Sequence, residues 1–271
     1  MSRLPSRARR ERIMELLAAH TDGTVEVERL SETLDVSLAT VRRDLAQLRE
    51  EGRITRTYGG AVLGGGTTEI SVRQRRMKHV RQKDAIARQA AEYVEDDQVV
   101  LLDAGTTTER LARYLLGKSG LTVFTNGLGA VNTLVEEEGV DVVVMGGRLR
   151  RINQTMTGPG AEEMVRGLYA DIAFLGADAV HPTRGIASRT FEQSSLKTLM
   201  SQHTRRLVVV ADSAKLLDDA SSYWSPIDRP WTLLTDDGAD PEALAALRAA
   251  SGGDLRIVVC PTTDLPPTDM Q

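Results

Sequence analysis

The sequence predicts an α/β protein in two parts, a small N-terminal winged helix-turn-helix joined to a doubly wound, mainly parallel α/β domain. Three observations carry that expectation. Three short amphipathic patterns and a Gly-Gly hairpin fill roughly the first 60 residues. The segment LGGGTTE, residues 63–69, then breaks all periodicity with three consecutive glycines. Beyond it, apolar runs at 98–102, 121–125, 140–145, 171–175, 206–211 and 255–259 alternate with helical stretches, as in a sheet covered on both faces. The expected division is 1–60 for the first domain, 61–72 for a hinge, 73–260 for the second domain and 261–271 for a disordered, proline-rich tail.

With 271 residues, 41% hydrophobic and 27% charged, the chain has the composition of an ordinary soluble protein with a sizeable core. No apolar run approaches the roughly 18 residues of a membrane span. The start, MSRLPSRARRERIMELL, lacks the apolar core and cleavage site of a signal peptide, so no membrane partner and a cytoplasmic location are expected. The lone Cys260 excludes an internal disulfide and suits a reducing compartment. His20, His79, His181 and His203 show no ligand spacing, so neither a metal nor another cofactor is expected.

The net charge of −4 hides an asymmetry. Residues 1–60 carry eleven arginines against ten acids, a balance of +1 that leaves −5 for the rest. A second basic cluster, Arg73, Arg75, Arg76, Lys78, Arg81 and Lys83, follows the glycine break and reads as a solvated helix face.

In the first part, Ile13, Leu16 and Leu17 share one helical face, Val27, Leu30 and Leu34 a second, and Val41, Leu45 and Leu48 a third. Only Asp35 and Val36 separate the second pattern from Ser37, a natural N-cap, so the two helices must turn sharply. With its apolar residues inward, the third helix turns Thr40, Arg43 and Gln47 outward, with Arg42 at the border. Such groups donate to phosphates and to base edges of double-stranded DNA. The following RITRTYGGAV reads as a wing: Arg53 and Arg56 approach a tight turn at Tyr58, Gly59 and Gly60. Asp44 is expected to pair with a neighbouring arginine, Arg43 or Arg53, and to position it. A bland alternative for the whole segment is a three-helix protein-interaction module.

The stretch SLATVRRDLAQLREEGRITRTYGGAV resembles the signature of the DeoR family of bacterial transcriptional regulators. Ser37, Thr40, Arg42, Arg43, Asp44 and Leu45 match its recognition helix, and Gly59 and Gly60 its wing.

In the second part, chemistry collects after the apolar runs. LLDAGTTTERL ends a strand at Asp103 and opens a helix with Gly105, Thr106, Thr107 and Thr108, whose amides and hydroxyls suit an anion. It is not a Walker loop, because the Gly-Lys-Ser/Thr ending is absent. Asn126 follows the second run, Gly146 and Gly147 the third, and Asp178 the fourth, with Gly185 in the next loop. Asp212, Ser213 and Lys215 follow the fifth. GLGAVN has Asn132 where a dinucleotide fingerprint needs its third glycine, so NAD is not expected. Ligands in open parallel sheets sit beyond the carboxyl ends of the strands, where these groups converge. Lys215 is the foremost candidate cation for a phosphate and Lys83 the second, although either also suits a solvated surface.

DAGTTT, TN, GG, GAD and ADSxK, in that order, resemble the DeoR-type effector domain, which is similar in fold to ribose-5-phosphate isomerase. The resemblance implies a cytoplasmic regulator, usually a repressor. It further implies modulation by a phosphorylated sugar or related metabolite, and a homo-oligomer, dimer or tetramer, on a DNA operator. Catalysis is not expected. Where the isomerases carry Asp-Gly-Ala-Asp-Glu, this chain has Leu175-Gly176-Ala177-Asp178-Ala179, and the loop HPTRGIASRTFEQ has no lysine. The alternatives are a sugar-phosphate enzyme with an accessory DNA-binding head, and a DNA binder with no effector.

Overall fold

The computed structural model describes residues 5–19, 24–50, 54–57, 60–63, 69–218, 221–251 and 253–263. The chain divides into two compact units, Met1–Ile70 and Ser71–Gln271.

The first unit contains α1 (Ser6–Ala19), β1 (Thr24–Glu26), α2 (Val27–Leu34), α3 (Leu38–Glu50), β2 (Ile54–Thr57) and β3 (Gly60–Leu63). The strands form an antiparallel sheet in the order β1-β3-β2. Ile13 and Leu17 of α1, Leu30 of α2, and Val41, Leu45 and Leu48 of α3 close one core with Val25 and Ile54. The apolar spacing of each helix thus accounts for the packing. Between α2 and α3 the chain reverses at Asp35, in the left-handed conformation with φ 50°. The Ser31 hydroxyl donates to the Val36 carbonyl at 2.6 Å and fixes the turn. Strand β1 had no signal in the sequence, and β3 extends to Leu63, so residues 61–63 belong to the wing sheet and not to the hinge.

The second unit opens with α4 (Val72–Met77), α5 (Val80–Ala91), β4 (Val99–Leu102), α6 (Thr106–Tyr114), β5 (Leu121–Thr125), α7 (Leu128–Leu134) and β6 (Val140–Val144). A hairpin of β7 (Arg148–Arg150) and β8 (Thr155–Thr157) precedes α8 (Pro159–Arg166) and β9 (Ala170–Gly176). After β10 (Val180–His181) and β11 (Gly185–Ser188) come α9 (Phe191–Gln202), β12 (Thr204–Val210) and β13 (Tyr223–Ser225). The unit ends with β14 (Trp231–Asp236), α10 (Pro241–Ala250) and β15 (Leu255–Cys260).

Seven strands form one sheet in the order β15-β14-β12-β9-β4-β5-β6, every pair parallel. Alternate residues of the strands feed two cores, as a period of two requires. Val100, Leu102, Ile172, Phe174, Val208 and Val210 pack with Ile86, Leu111 and Leu115. Leu101, Ala173, Leu175, Leu207 and Val209 pack with Val165, Leu196, Met200 and Leu247. Strand β14, carrying Trp231, Leu233 and Leu234, was missing from the expected runs because Thr232 and Thr235 interrupt its apolar stretch. The chain winds from β4 outward to β6, then returns to β9 on the other side of β4. That reversal opens a crevice between the carboxyl ends of β4 and β9.

Candidate functional site

In the first unit, the outward face of α3 carries Arg42, Arg43 and Gln47 exposed to solvent, with Thr40 half-buried. Ser37 caps α3: its hydroxyl accepts from the Thr40 amide at 3.3 Å and lies 2.9 Å from the Thr40 hydroxyl. Arg56 lies within β2 opposite Ala61, and Gly60 pairs with Thr57 inside the sheet. Arg53, Tyr58 and Gly59 lie outside the described residues. Asp44 does not pair with Arg43. It turns inward, 4% exposed, and accepts from Arg9 Nε at 2.5 Å and Arg9 Nη2 at 3.1 Å, with Arg10 at 3.9 Å. Being three residues on from the buried Val41 and four before the buried Leu48, Asp44 shares their inner face, where α1 supplies the counter-ions.

In the second unit, the crevice at the sheet reversal holds a small cleft. It is lined by Ala104, Gly105, Thr107 and Thr108 from the β4–α6 turn, Gly176 and Ala177 from the end of β9, and Lys215. Asp103, 2% exposed, ties the two strand ends together: it accepts from the Gly176 amide at 3.1 Å and pairs with Lys197 of α9 at 2.9 Å. The Lys197 ammonium also donates to the Gly176 carbonyl. Asn126, 2% exposed, accepts from the Ala104 amide at 2.7 Å and donates to Thr155 at 3.2 Å, fixing the cradle loop from the β5 side. Gly105 caps α6 without a side-chain acceptor, so the first-turn amides of the helix face the cleft uncapped. A Cβ on Gly105 would come within 3.2 Å of the Thr108 hydroxyl. Thr106, Thr107 and Thr108 are all buried, and Thr108 donates back to the Gly105 carbonyl at 2.9 Å.

Lys215 sits in the 3₁₀ turn Ser213–Lys215, donates to the Ala177 carbonyl at 2.7 Å and lies 3.7 Å from Asp212. Asp178 pairs with Arg75 of α4 at 2.8 Å and lies 3.9 Å from Arg189. Burial pushes its carboxyl up, but Arg75, Lys197, Lys215 and Arg189 outweigh burial and hold it below the ordinary carboxylate range.

Four expected residues lie elsewhere. Lys83 is 3% exposed and donates to the carbonyls of Arg75 and Lys78 at 2.6 and 2.7 Å, fastening α4 to α5. Burial first, then repulsion from Lys215, Arg110 and Arg75, pushes its ammonium down to about 8, against a smaller upward pull from Asp212. Gly147 lines a separate hollow with Arg148, Arg150, Arg151 and Glu192, and a Cβ there would meet the Thr157 carbonyl at 2.4 Å. Its neighbour Gly146 faces open space. Gly185, at φ 83°, passes beneath the Ser225 carbonyl, where a Cβ would come within 2.1 Å, and so serves the small sheet β10-β11-β13.

Residues that sequence reasoning missed complete the cleft: Val72 and Arg75 of α4, Asn153 of the β7–β8 loop, and Gln193 and Lys197 of α9. The basic cluster after the glycine break is not simply a solvated face. Arg75 reaches Asp178, and Arg76 reaches Glu109 at 2.9 Å and Gln154 at 3.2 Å. Gln193 and Lys197 stand one helical turn apart, a spacing that marks a shared face but not which face meets a ligand.

A family model described as the DeoR C-terminal sensor domain matches residues 78–237, and one described as the DeoR-like helix-turn-helix domain matches residues 9–64. Among curated relatives, a putative aga operon transcriptional repressor of Escherichia coli O157:H7 is 35% identical, covering 89% of this chain and 90% of its own. The HTH-type transcriptional regulator GlpR of Haloferax volcanii is 33% identical, covering 89% of this chain and 94% of its own. The HTH-type transcriptional repressor CsqR of Escherichia coli K12 is 30% identical over 88% and 90%. Among solved structures, ribose 5-phosphate isomerase A of Methanocaldococcus jannaschii aligns with TM-score 0.36 and 19% identity, over 49% of this chain and 52% of that one. That likeness carries no functional argument.

Proposed function

The chain belongs to the DeoR family of helix-turn-helix transcriptional regulators, and from that premise we propose that it represses carbohydrate-metabolism genes under the control of a phosphorylated sugar bound in its second unit. The observation that carries the effector reading is the convergence in one cleft of the uncapped α6 N-terminus, the Thr107 hydroxyl and the Lys215 ammonium. Each favours a phosphate oxygen, and together they supply more donors than the fold itself engages.

Arg43, Gln47 and Thr40 read or flank a DNA operator, with Arg42 on the phosphate backbone and the wing residues 53–60 beside it. One such module makes few contacts, so the regulator works as a homo-oligomer on repeated half-sites. Helix α4 is the first element after the glycine linker, and it roofs the cleft through Val72 and Arg75. A ligand that recruits Arg75 from Asp178 displaces α4, and the linker passes that displacement toward the DNA-binding unit. Operator affinity then changes by no more than the ligand's preference for one arrangement over the other.

The cleft binds without reacting. Moving a proton between sugar carbons needs a base free to reach the carbon, and Asp178 is engaged by Arg75 at 2.8 Å. Leu175 and Ala179 stand on either side of the Gly-Ala-Asp triplet and supply no second carboxylate. The test is anisotropy of a labelled duplex from upstream of this protein's own gene, titrated with and without a panel of sugar phosphates. One member of the panel should shift the affinity, and none should be turned over. Turnover, or binding that no phosphate alters, would reject the reading.

A further inference from the structure

Gln193 is 92% buried by its 8% exposure, and it lines the cleft beside Lys197. Its amide oxygen has no hydrogen-bond partner, although its backbone amide is capped by Thr190 at 3.3 Å. The oxygen of Asn153, from the β7–β8 loop, lines the same cleft and is likewise buried without a partner. Buried acceptors are nearly always satisfied, and two orphans at one cleft mark donors that arrive with something else. The nearby protein cations do not fill that role: Lys197 holds Asp103 and the Gly176 carbonyl, Arg75 holds Asp178, and Lys215 holds the Ala177 carbonyl.

We propose that Gln193, with Asn153, determines effector specificity by accepting hydrogen bonds from hydroxyl groups on the ligand's carbon skeleton. This rests on the phosphate-sensing reading above and deepens it. The cleft then sorts a ligand by its two ends. The α6 amides, the Thr107 hydroxyl and Lys215 are donors and take the acceptor-rich phosphate. The amide oxygens of Gln193 and Asn153 are acceptors and take the donor-rich polyol portion. Inorganic phosphate satisfies the first set alone, and a sugar phosphate satisfies both. The ligand class is therefore a phosphate ester whose body carries free hydroxyls, as opposed to a phosphorylated acid or an apolar phosphate.

The experiment is calorimetric titration of the full chain with inorganic phosphate, ribose 5-phosphate and fructose 6-phosphate, in wild type, Gln193→Met, Asn153→Ala and Lys215→Met. Methionine keeps the volume of Gln193 without its polar head, and unchanged melting confirms that each variant is folded. Gln193→Met should weaken the better sugar phosphate about three- to tenfold, the worth of one neutral hydrogen bond, and leave inorganic phosphate unchanged. Asn153→Ala, at a partly exposed position, should act in the same direction and keeps the test available if Gln193→Met does not fold. Equal affinity of Gln193→Met and Asn153→Ala with wild type for every probe would overturn the assignment. So would an equal loss for phosphate and sugar phosphate, which would place Gln193 on the phosphate itself. If wild type binds none of the probes, or Lys215→Met binds all of them unchanged, the phosphate reading fails and this assignment falls with it.

Discussion

Replacing Lys197 by Met tests the strand-end tie on which the cleft depends. Lys197 and Asp103 have side chains 8% and 3% exposed, and their charged atoms stand 2.9 Å apart. The substitution conserves length but leaves the Asp103 carboxylate buried with the Gly176 amide as its remaining donor among the described residues, and it removes the donor to the Gly176 carbonyl. Breaking a buried pair by removing one partner costs about 3–5 kcal/mol. In a unit of roughly 200 residues, each kcal/mol moves the midpoint by about 2–4 °C, so thermal melting by circular dichroism should fall by roughly 6–20 °C. The double variant Lys197→Met with Asp103→Asn removes both charges together. It should melt higher than the two single losses add up to, with a coupling of about 0.5–3 kcal/mol. A Lys197→Met midpoint equal to wild type, or strictly additive losses, would refute the claim that this pair fastens β4 to β9.

Three further outcomes follow from the same contacts. Arg43→Ala should weaken operator binding by about 1–3 kcal/mol, and a lower salt slope in the same titration would identify a lost phosphate contact. Asp44→Asn should lower the stability of the first unit by about 1.5–3 kcal/mol, because α1 loses a charged hydrogen-bond partner on α3. Its operator affinity well below the melt should stay near wild type, since Asp44 holds Arg9 and not Arg43; a loss matching Arg43→Ala without a change in melting would contradict this. Lys83 predicts a pH dependence. Its ammonium titrates at about 8 in the fold against 10.5 unfolded, so above pH 8 the unfolded chain holds the extra proton and stability rises with pH. The full difference between those values corresponds to about 3 kcal/mol. Cys260 and Tyr114, both pushed up to about 12, act oppositely above roughly pH 9 to 10, so the informative quantity is wild type minus Lys83→Met in chemical denaturation. That difference should grow from pH 8 to 10, and a flat difference would refute the burial argument.

The parts of the molecule that are legible in the sequence are those fixed by local pattern. The continuous apolar runs gave six strands of the main sheet, and the α1, α2 and α3 faces followed from their spacing. Strand β14 escaped because two threonines break its apolar stretch, and β1 because three residues carry no periodicity. At the cleft, strand ends announced Asp103 and the threonines, because ligands in parallel sheets sit at those ends. Lys197, Gln193, Asn153 and Arg75 were not legible, since each reaches the cleft from an element far away in sequence. Arg75 lies 103 residues from its partner Asp178. Lys83 was misread for the same reason: a lysine on a basic helix looks solvated until α4 folds over it and offers two carbonyls. Asp44 shows the converse. Its motif position was evident, but its partner on α1 was set by packing.

The most direct test of the account compares operator binding by wild type and Lys215→Met in the same anisotropy titration, with and without the sugar phosphate that shifts wild type. Both proteins should bind the duplex equally without ligand. The ligand should change wild-type affinity by roughly 5- to 150-fold, the usual range of coupling between sites, and leave Lys215→Met nearly unmoved. A Lys215→Met response equal to that of wild type would contradict the claim that this cleft is where the signal enters.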